Sequence, residues 1–272
     1  MHNMPQIQKS AARFGLTAEQ YAAAMEATLP IAARVGERLS ERHLIAIANA
    51  GSMQPGNALL ASGDTVYHEA LRYAHLCIWP QPTSAEAPIG KITPAAAVRD
   101  LVTKTYLRFQ DHPHAVRLIV SENLFGNPDF ASTAGLLEDS PVVLHLDRVL
   151  MLGHDIGAFR EGVSAEDVYV LISSLCSFAI TQGPLFHSLY GMNPADEANT
   201  KGLIELTVDA VLAFLTTTMP TSQGSSYTHS SQSATVGSSV AASLYSGGSD
   251  FDFDGHTDSA PSTSEDLYGD ER

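Results

Sequence analysis

Ser52, Gln54 and Asn57 fall within one short stretch, SMQPGN. Carboxamide side chains present a donor and an acceptor side by side, so Gln54 and Asn57 can bond an adenine edge at two points. Arg42 and His43 precede this stretch and Thr65 follows it, and such cationic and hydroxyl groups can hold phosphate oxygens. A second set is dispersed. Arg117, Glu122 and Asn123 interrupt the apolar run HAVRLIVSENLF, His145 and His154 share one later segment, and Phe178 and Gln182 share another. A few polar groups among apolar ones is the composition of a small-molecule pocket between helices. The plainer alternative is that Glu122 pairs with an arginine, Asn123 caps a helix end and the histidines are satisfied core or surface groups.

Catalytic patterns are missing from the sequence. There is no GxSxG, Walker or GxGxxG motif, and no HExxH or CxxC metal spacing. Cys77 and Cys176 have no evident histidine partner and are expected to be buried free thiols in a reducing compartment. The expectation is therefore no enzyme, no cofactor and no metal. The hexapeptide DFDFDG (250–255) imitates the start of a calcium loop, but position twelve of that loop falls on Pro261, where a glutamate is needed.

The elements that must position these residues read as helices. Helix formers are common, and no sustained alternation of Val, Ile or Thr with polar residues marks a strand. The chain has 272 residues, of which 44% are hydrophobic, enough for one large core or two modest domains. The expected fold is all-α: a helix-turn-helix block over 1–80, an antiparallel helical bundle over 81–220, and a disordered acidic Ser/Gly-rich tail over 221–272. The division near 80 rests on PQPTSAEAPIGKITP, whose four prolines and glycine read as a loop.

Within the first block, Thr17 and Gln20 have capping-box spacing, and Pro30 is expected to kink or split the helix that follows. Ser40, Ser52 and Asp64 are expected to cap three further helices, the first two joined by a tight turn at Ala50–Gly51. In the second block, Val98, Leu101, Val102, Thr105 and Phe109 share one helix face. His112–Pro113 should end that helix and begin the next. The last helix is apolar on two sides, with Leu203, Leu206 and Ala210 on one and Ile204, Val208, Val211 and Leu215 on the other. Such a helix is either central to the core or shared with a second subunit.

Charge restricts the partners. The net charge is −15, yet residues 1–80 carry six Lys/Arg against six acids, and residues 221–272 carry one base against eight acids. A basic face, if one exists, lies in the N-terminal part and is weak. The polar N-terminus MHNMPQIQK gives no sign of a signal peptide, and VYVLISSLCSFAI is too short to span a bilayer. The expectation is a cytoplasmic protein without a membrane partner.

The runs HPHAVRLIVSENLFG and LDRVLMLGHDIGAFREGVSAEDVYVLISSL, in that order and spacing, resemble the C-terminal ligand-binding and dimerisation domain of the TetR family of bacterial transcriptional regulators. The likeness covers about residues 95–215. In the N-terminal block, Ile47–Ala48, Ala50–Gly51, Gly56 and Tyr67 through Leu71 follow the family's helix-turn-helix pattern. That block departs at Pro30, in a recognition segment about two residues short, and in the loss of its usual aromatic and lysine positions. The resemblance implies a repressor that binds DNA through residues 42–65 and is released by a small-molecule effector held by the second set of residues. It also implies a homodimer formed by 165–183 and 201–219, with Ser174, Ser177 and Thr181 allowing close approach and Val208, Val211 and Leu215 supplying apolar contact. The alternative is a ligand- or protein-binding dimer whose helix-turn-helix no longer reads DNA.

Overall fold

The computed structural model describes residues 4–54, 56–80, 92–125, 142–218 and 226–228. Among these there are ten α-helices and no strand. The expected tail lies outside the described residues except for Ser226–Thr228, and the DFDFDG stretch lies outside them altogether.

Helix α1 (Met4–Arg13) was not evident from the sequence, because only Ile7 and Ala11, four apart, mark its buried stripe. Helix α2 (Ala18–Val35) opens with the expected capping box: Gln20 N donates to Thr17 Oγ1 at 3.2 Å and Thr17 N donates to Gln20 Oε1 at 3.1 Å. Its buried residues Tyr21, Ala24, Met25, Thr28, Leu29 and Ala32 form one stripe at helical spacing. Pro30 does not split this helix, which runs unbroken to Val35. Pro30 and Glu26 are both exposed, so the carbonyl of Glu26 that loses its backbone donor lies on the solvent side, where water can satisfy it.

Helix α3 (Glu41–Ala50) follows, with Ser40 N donating to His43 Nδ1 at 3.2 Å. The chain then turns at Gly51, where a Cβ would sit 3.0 Å from both the Ala24 Cβ and the Gln20 carbonyl. A side chain there would crowd α2, so glycine suits this close approach. The helix expected after Ser52 is reduced to a single 3-10 turn, Ala58–Leu60, capped by Asn57. Ser52 itself has φ 48°, a left-handed conformation that cannot begin a helix. Helix α4 (Gly63–Ile78) is capped by Ser62 rather than Asp64, its hydroxyl accepting from Thr65 N at 3.0 Å.

The second block begins with α5 (Pro94–Asp111), on which Val98, Leu101, Val102, Thr105 and Phe109 are all buried, joined by Tyr106. His112 ends it and Pro113 opens α6 (Pro113–Phe125). Then come α7 (Val142–Asp155), α8 (Ala165–Thr181), the short α9 (Gly183–Tyr190) and α10 (Glu197–Thr216). Helix α5 is central: α10, α8, α7, α4 and α6 all pack against it. Helices α2 and α4 both lie on α6, so one hydrophobic core runs from Ile7 to Leu215 without a break between the blocks. The single tryptophan, Trp79, closes the junction, stacked on Tyr169 with centroids 4.9 Å apart and edge-on to Phe109 at 5.8 Å. No single helix among the described residues is long and apolar enough to cross a membrane.

Candidate functional site

The N-terminal helices supply the first candidate surface. Arg42, Ser52 and Gln54 are exposed. The other residues of that set have local employment. Asn57 donates through Nδ2 to the Phe14 carbonyl at 3.0 Å and accepts from Leu59 N at 2.9 Å. His43 closes the start of α3, and Thr65 Oγ1 lies 2.9 Å from Ser62 Oγ at the start of α4. The Ser52 carbonyl accepts from Gln20 Nε2 at 3.3 Å. The segment that would carry base-reading side chains is thus one 3-10 turn whose capping carboxamide is already bonded on both sides.

The second set is not gathered in one place. Arg117 and Asn123 are exposed on α6, and Asn123 donates to the Ile119 carbonyl at 2.9 Å. Glu122 points the other way, 8% exposed, and its partner is a tyrosine rather than an arginine. Tyr67 Oη on α4 donates to Glu122 Oε2 at 2.5 Å. Burial first, and then the bond to Glu122, raise the Tyr67 phenol far above its ordinary range, so the proton stays on the tyrosine. Gln182 is exposed at the end of α8, and Phe178 packs edge-on to Phe186 of α9 at 5.5 Å. His145 and His154 are half-buried on α7.

Other polar atoms mark the interior of the bundle. The Tyr106 hydroxyl, Gln110 Nε2 and His154 Nε2 are buried and find no hydrogen-bond partner among the described residues. Tyr106 and Gln110 are one turn apart on α5, hence on the same face, and α7 packs against that helix. A buried polar group without a partner costs about 1–3 kcal/mol. Sequence reasoning missed Tyr106 and Gln110. Their i, i+4 spacing on an otherwise apolar stripe was the available signal. The Cys77 and Cys176 thiols are both buried, and burial pushes each up to about 12, so neither is a thiolate at neutral pH.

A second buried carboxylate reinforces the N-terminal helices. Glu69, 3% exposed, accepts from Tyr21 Oη at 3.1 Å and pairs with Arg13 at 3.1 Å and Arg72 at 3.6 Å. In the first turn of α8, Asp167 gathers Ser226–Thr228. Its carboxylate accepts from Thr228 N and Thr228 Oγ1, each at 2.9 Å, from Ser226 Oγ at 3.0 Å and from Tyr227 N at 3.2 Å. Burial acts to raise the Asp167 carboxyl, but the donors from Ser164, Thr228, Tyr227 and Ser226 outweigh it and hold it below its ordinary value. The Arg160 guanidinium lies over the Phe214 ring at 4.4 Å and the Tyr227 ring at 5.7 Å, adding cation–π attraction to this clasp.

Of the residues expected at a subunit interface, Ser174 is exposed and Ser177 and Thr181 are half-buried, all on one face of α8. Val208, Val211 and Leu215 are at most 1% exposed and face the core, so they have no surface to offer a second subunit. The exposed apolar residues nearby are Val170 on α8, Leu185, Leu189 and Tyr190 on α9, and Leu206 on α10.

Residues 94–211 match the family described as "Tetracyclin repressor-like, C-terminal domain". No curated protein matches the chain.

Proposed function

The chain carries a TetR-family C-terminal domain behind a helical block that fits a helix-turn-helix, and from that premise we propose that it is a dimeric transcriptional regulator, not an enzyme, whose DNA contact is released by a small-molecule effector. The observation that carries this reading is the Tyr67–Glu122 bond within the packing of α2 and α4 on α6. It joins the N-terminal block to the bundle through a buried contact, so a shift of α5 or α6 on effector binding is passed to α3 and the turn at Ala58–Leu60. The effector binds in the bundle beside α5, where Tyr106 and Gln110 offer polar atoms, with His154 on the α7 that packs against this helix. It is therefore a mostly apolar small molecule bearing acceptor groups for the phenol and the amide. Release follows only if the effector favours one of two arrangements of the block over the other.

The second subunit docks on the face of Val170, Ser174 and Leu206, extended by Leu185 and Leu189. Large exposed apolar side chains clustered on adjoining helices are the mark of an interaction surface. Leu206→Glu is expected to shift the sedimentation of the protein from dimer to monomer while leaving its helical circular dichroism unchanged.

A second reading is favoured by the reduced recognition segment. With one 3-10 turn and Asn57 committed to Phe14 and Leu59, the block contacts phosphates at most and reads no bases. The protein then acts as a ligand- or protein-binding dimer. Fluorescence anisotropy against DNA tiled over the region upstream of its own coding sequence, at several salt concentrations, separates the two. Sequence-specific binding with a salt slope of several charges supports the repressor. Binding no tighter than to random DNA, by protein shown to be folded, rejects it in favour of the second reading.

A further inference from the structure

Three side chains from three elements converge on the seam between the N-terminal helices and the bundle. Glu26 lies in the middle of α2, Cys77 at the end of α4, and His112 at the corner joining α5 to α6. One carboxylate oxygen, the thiol sulfur and one imidazole nitrogen all lie within 4.8 Å of one another. From this juxtaposition we propose that the protein holds a zinc ion at Glu26, Cys77 and His112.

The donor set suits zinc. It combines one sulfur, one nitrogen and one oxygen, and tetrahedral zinc takes all three at about 2.0–2.3 Å. Bonds of that length at tetrahedral angles set donors roughly 3.3–3.7 Å apart, so the three need close on the ion by only about an ångström. Three protein ligands leave a fourth position for water or a small ligand. The burial is graded: Glu26 is exposed, His112 is half-buried and Cys77 is 1% exposed. The ion therefore has an entry path from the Glu26 side and a sheltered end at the sulfur. On binding, the Cys77 thiol gives up its proton to solvent and the sulfur bonds the metal.

The surroundings support the ligands. Tyr73 Oη donates to Glu26 Oε1 at 2.8 Å, holding the carboxylate in orientation as an outer-shell partner does. Arg108 Nη1 donates to the Cys77 carbonyl at 2.8 Å, fixing the end of α4 against α5. The ligands are far apart in the chain and on separate elements, so no motif spacing announces them. A metal there ties α2 and α4 to the corner of α5 and α6, and its binding changes how firmly the N-terminal block is held.

The test is a titration of the full chain, stripped of metal by chelator, with cobalt(II) followed by zinc competition. Cobalt in a tetrahedral site with a cysteine ligand gives a near-ultraviolet thiolate charge-transfer band. We expect that band at one cobalt per chain, displaced by zinc, retained in Cys176→Ser and lost in Cys77→Ser. His112→Ala and Glu26→Gln are expected to weaken zinc binding by about a hundredfold, and Tyr73→Phe by about tenfold. These last variants keep the test decisive should Cys77→Ser fail to fold. Cobalt bound without the band would be binding to surface histidines and would overturn the proposal. So would a band that survives Cys77→Ser, or zinc affinity unchanged in both His112→Ala and Glu26→Gln.

Discussion

The Tyr67 hydroxyl and the Glu122 carboxylate meet at 2.5 Å in the buried contact between α4 and α6. One residue belongs to the block that fits a helix-turn-helix and the other to the bundle, so this bond is one of the buried contacts that join the two. Tyr67→Phe leaves Glu122 buried without that donor and is expected to cost about 1–3 kcal/mol. Urea unfolding followed by Trp79 fluorescence measures the loss. Glu122→Gln keeps an acceptor and should lose less, and a Tyr67→Phe protein as stable as the parent would remove this bond from the account.

Gly153 on α7 lies against Phe159, where a Cβ would fall 1.9 Å from the ring. The ring is 4% exposed and has little room to retreat. Gly153→Ala is therefore expected to destabilise the fold by about 1–3 kcal/mol, even though alanine is the better helix former. Thermal unfolding of Gly153→Ala beside Gly153→Ala/Phe159→Leu checks the cause, because shortening the ring should restore part of the loss.

The clasp at Asp167 predicts a dependence on pH. Its folded carboxyl titrates below the ordinary value of 3.8. The stabilisation is therefore fully present above that unfolded value and is lost as pH falls through the lower folded value. Asp167→Asn should be less stable than the parent at pH 7, and the gap should narrow as the parent is acidified below about pH 4. Ser226–Thr228 should also become cleavable by protease at neutral pH in Asp167→Asn. A gap that widens on acidification would mean that the carboxylate is not what the clasp depends on.

Pro30 interrupts the hydrogen bonding of α2 on its exposed face. Pro30→Ala supplies the missing N–H to the Glu26 carbonyl and removes the ring from its neighbourhood. The expected gain is about 1–3 kcal/mol, read from the urea midpoint. A loss would mean that the proline ring is required by the packing of α2 on its neighbours.

Much of this protein was determined by its sequence alone. Helical periodicity placed the α5 face from Val98 to Phe109, and the Thr17–Gln20 capping box placed the start of α2. His112–Pro113 placed the corner between α5 and α6, and the runs from HPHAVRL to AEDVYV identified the C-terminal domain. Those are local or near-local signals, in which residues a few positions apart decide the backbone. What tertiary structure alone decided is which of two apolar faces turns inward and which distant side chains meet. The sequence left α10 apolar on two sides, and only its packing on α5 and α8 sends Val208, Val211 and Leu215 into the core while Leu206 stays outside. Glu122 found Tyr67, and Glu26, Cys77 and His112 came together, through helix packing that no spacing along the chain encodes. The recognition helix failed for a similar reason. Gly51 packs against α2 and Ser52 turns left-handed, so no helix starts at Ser52 and only the single turn Ala58–Leu60 follows.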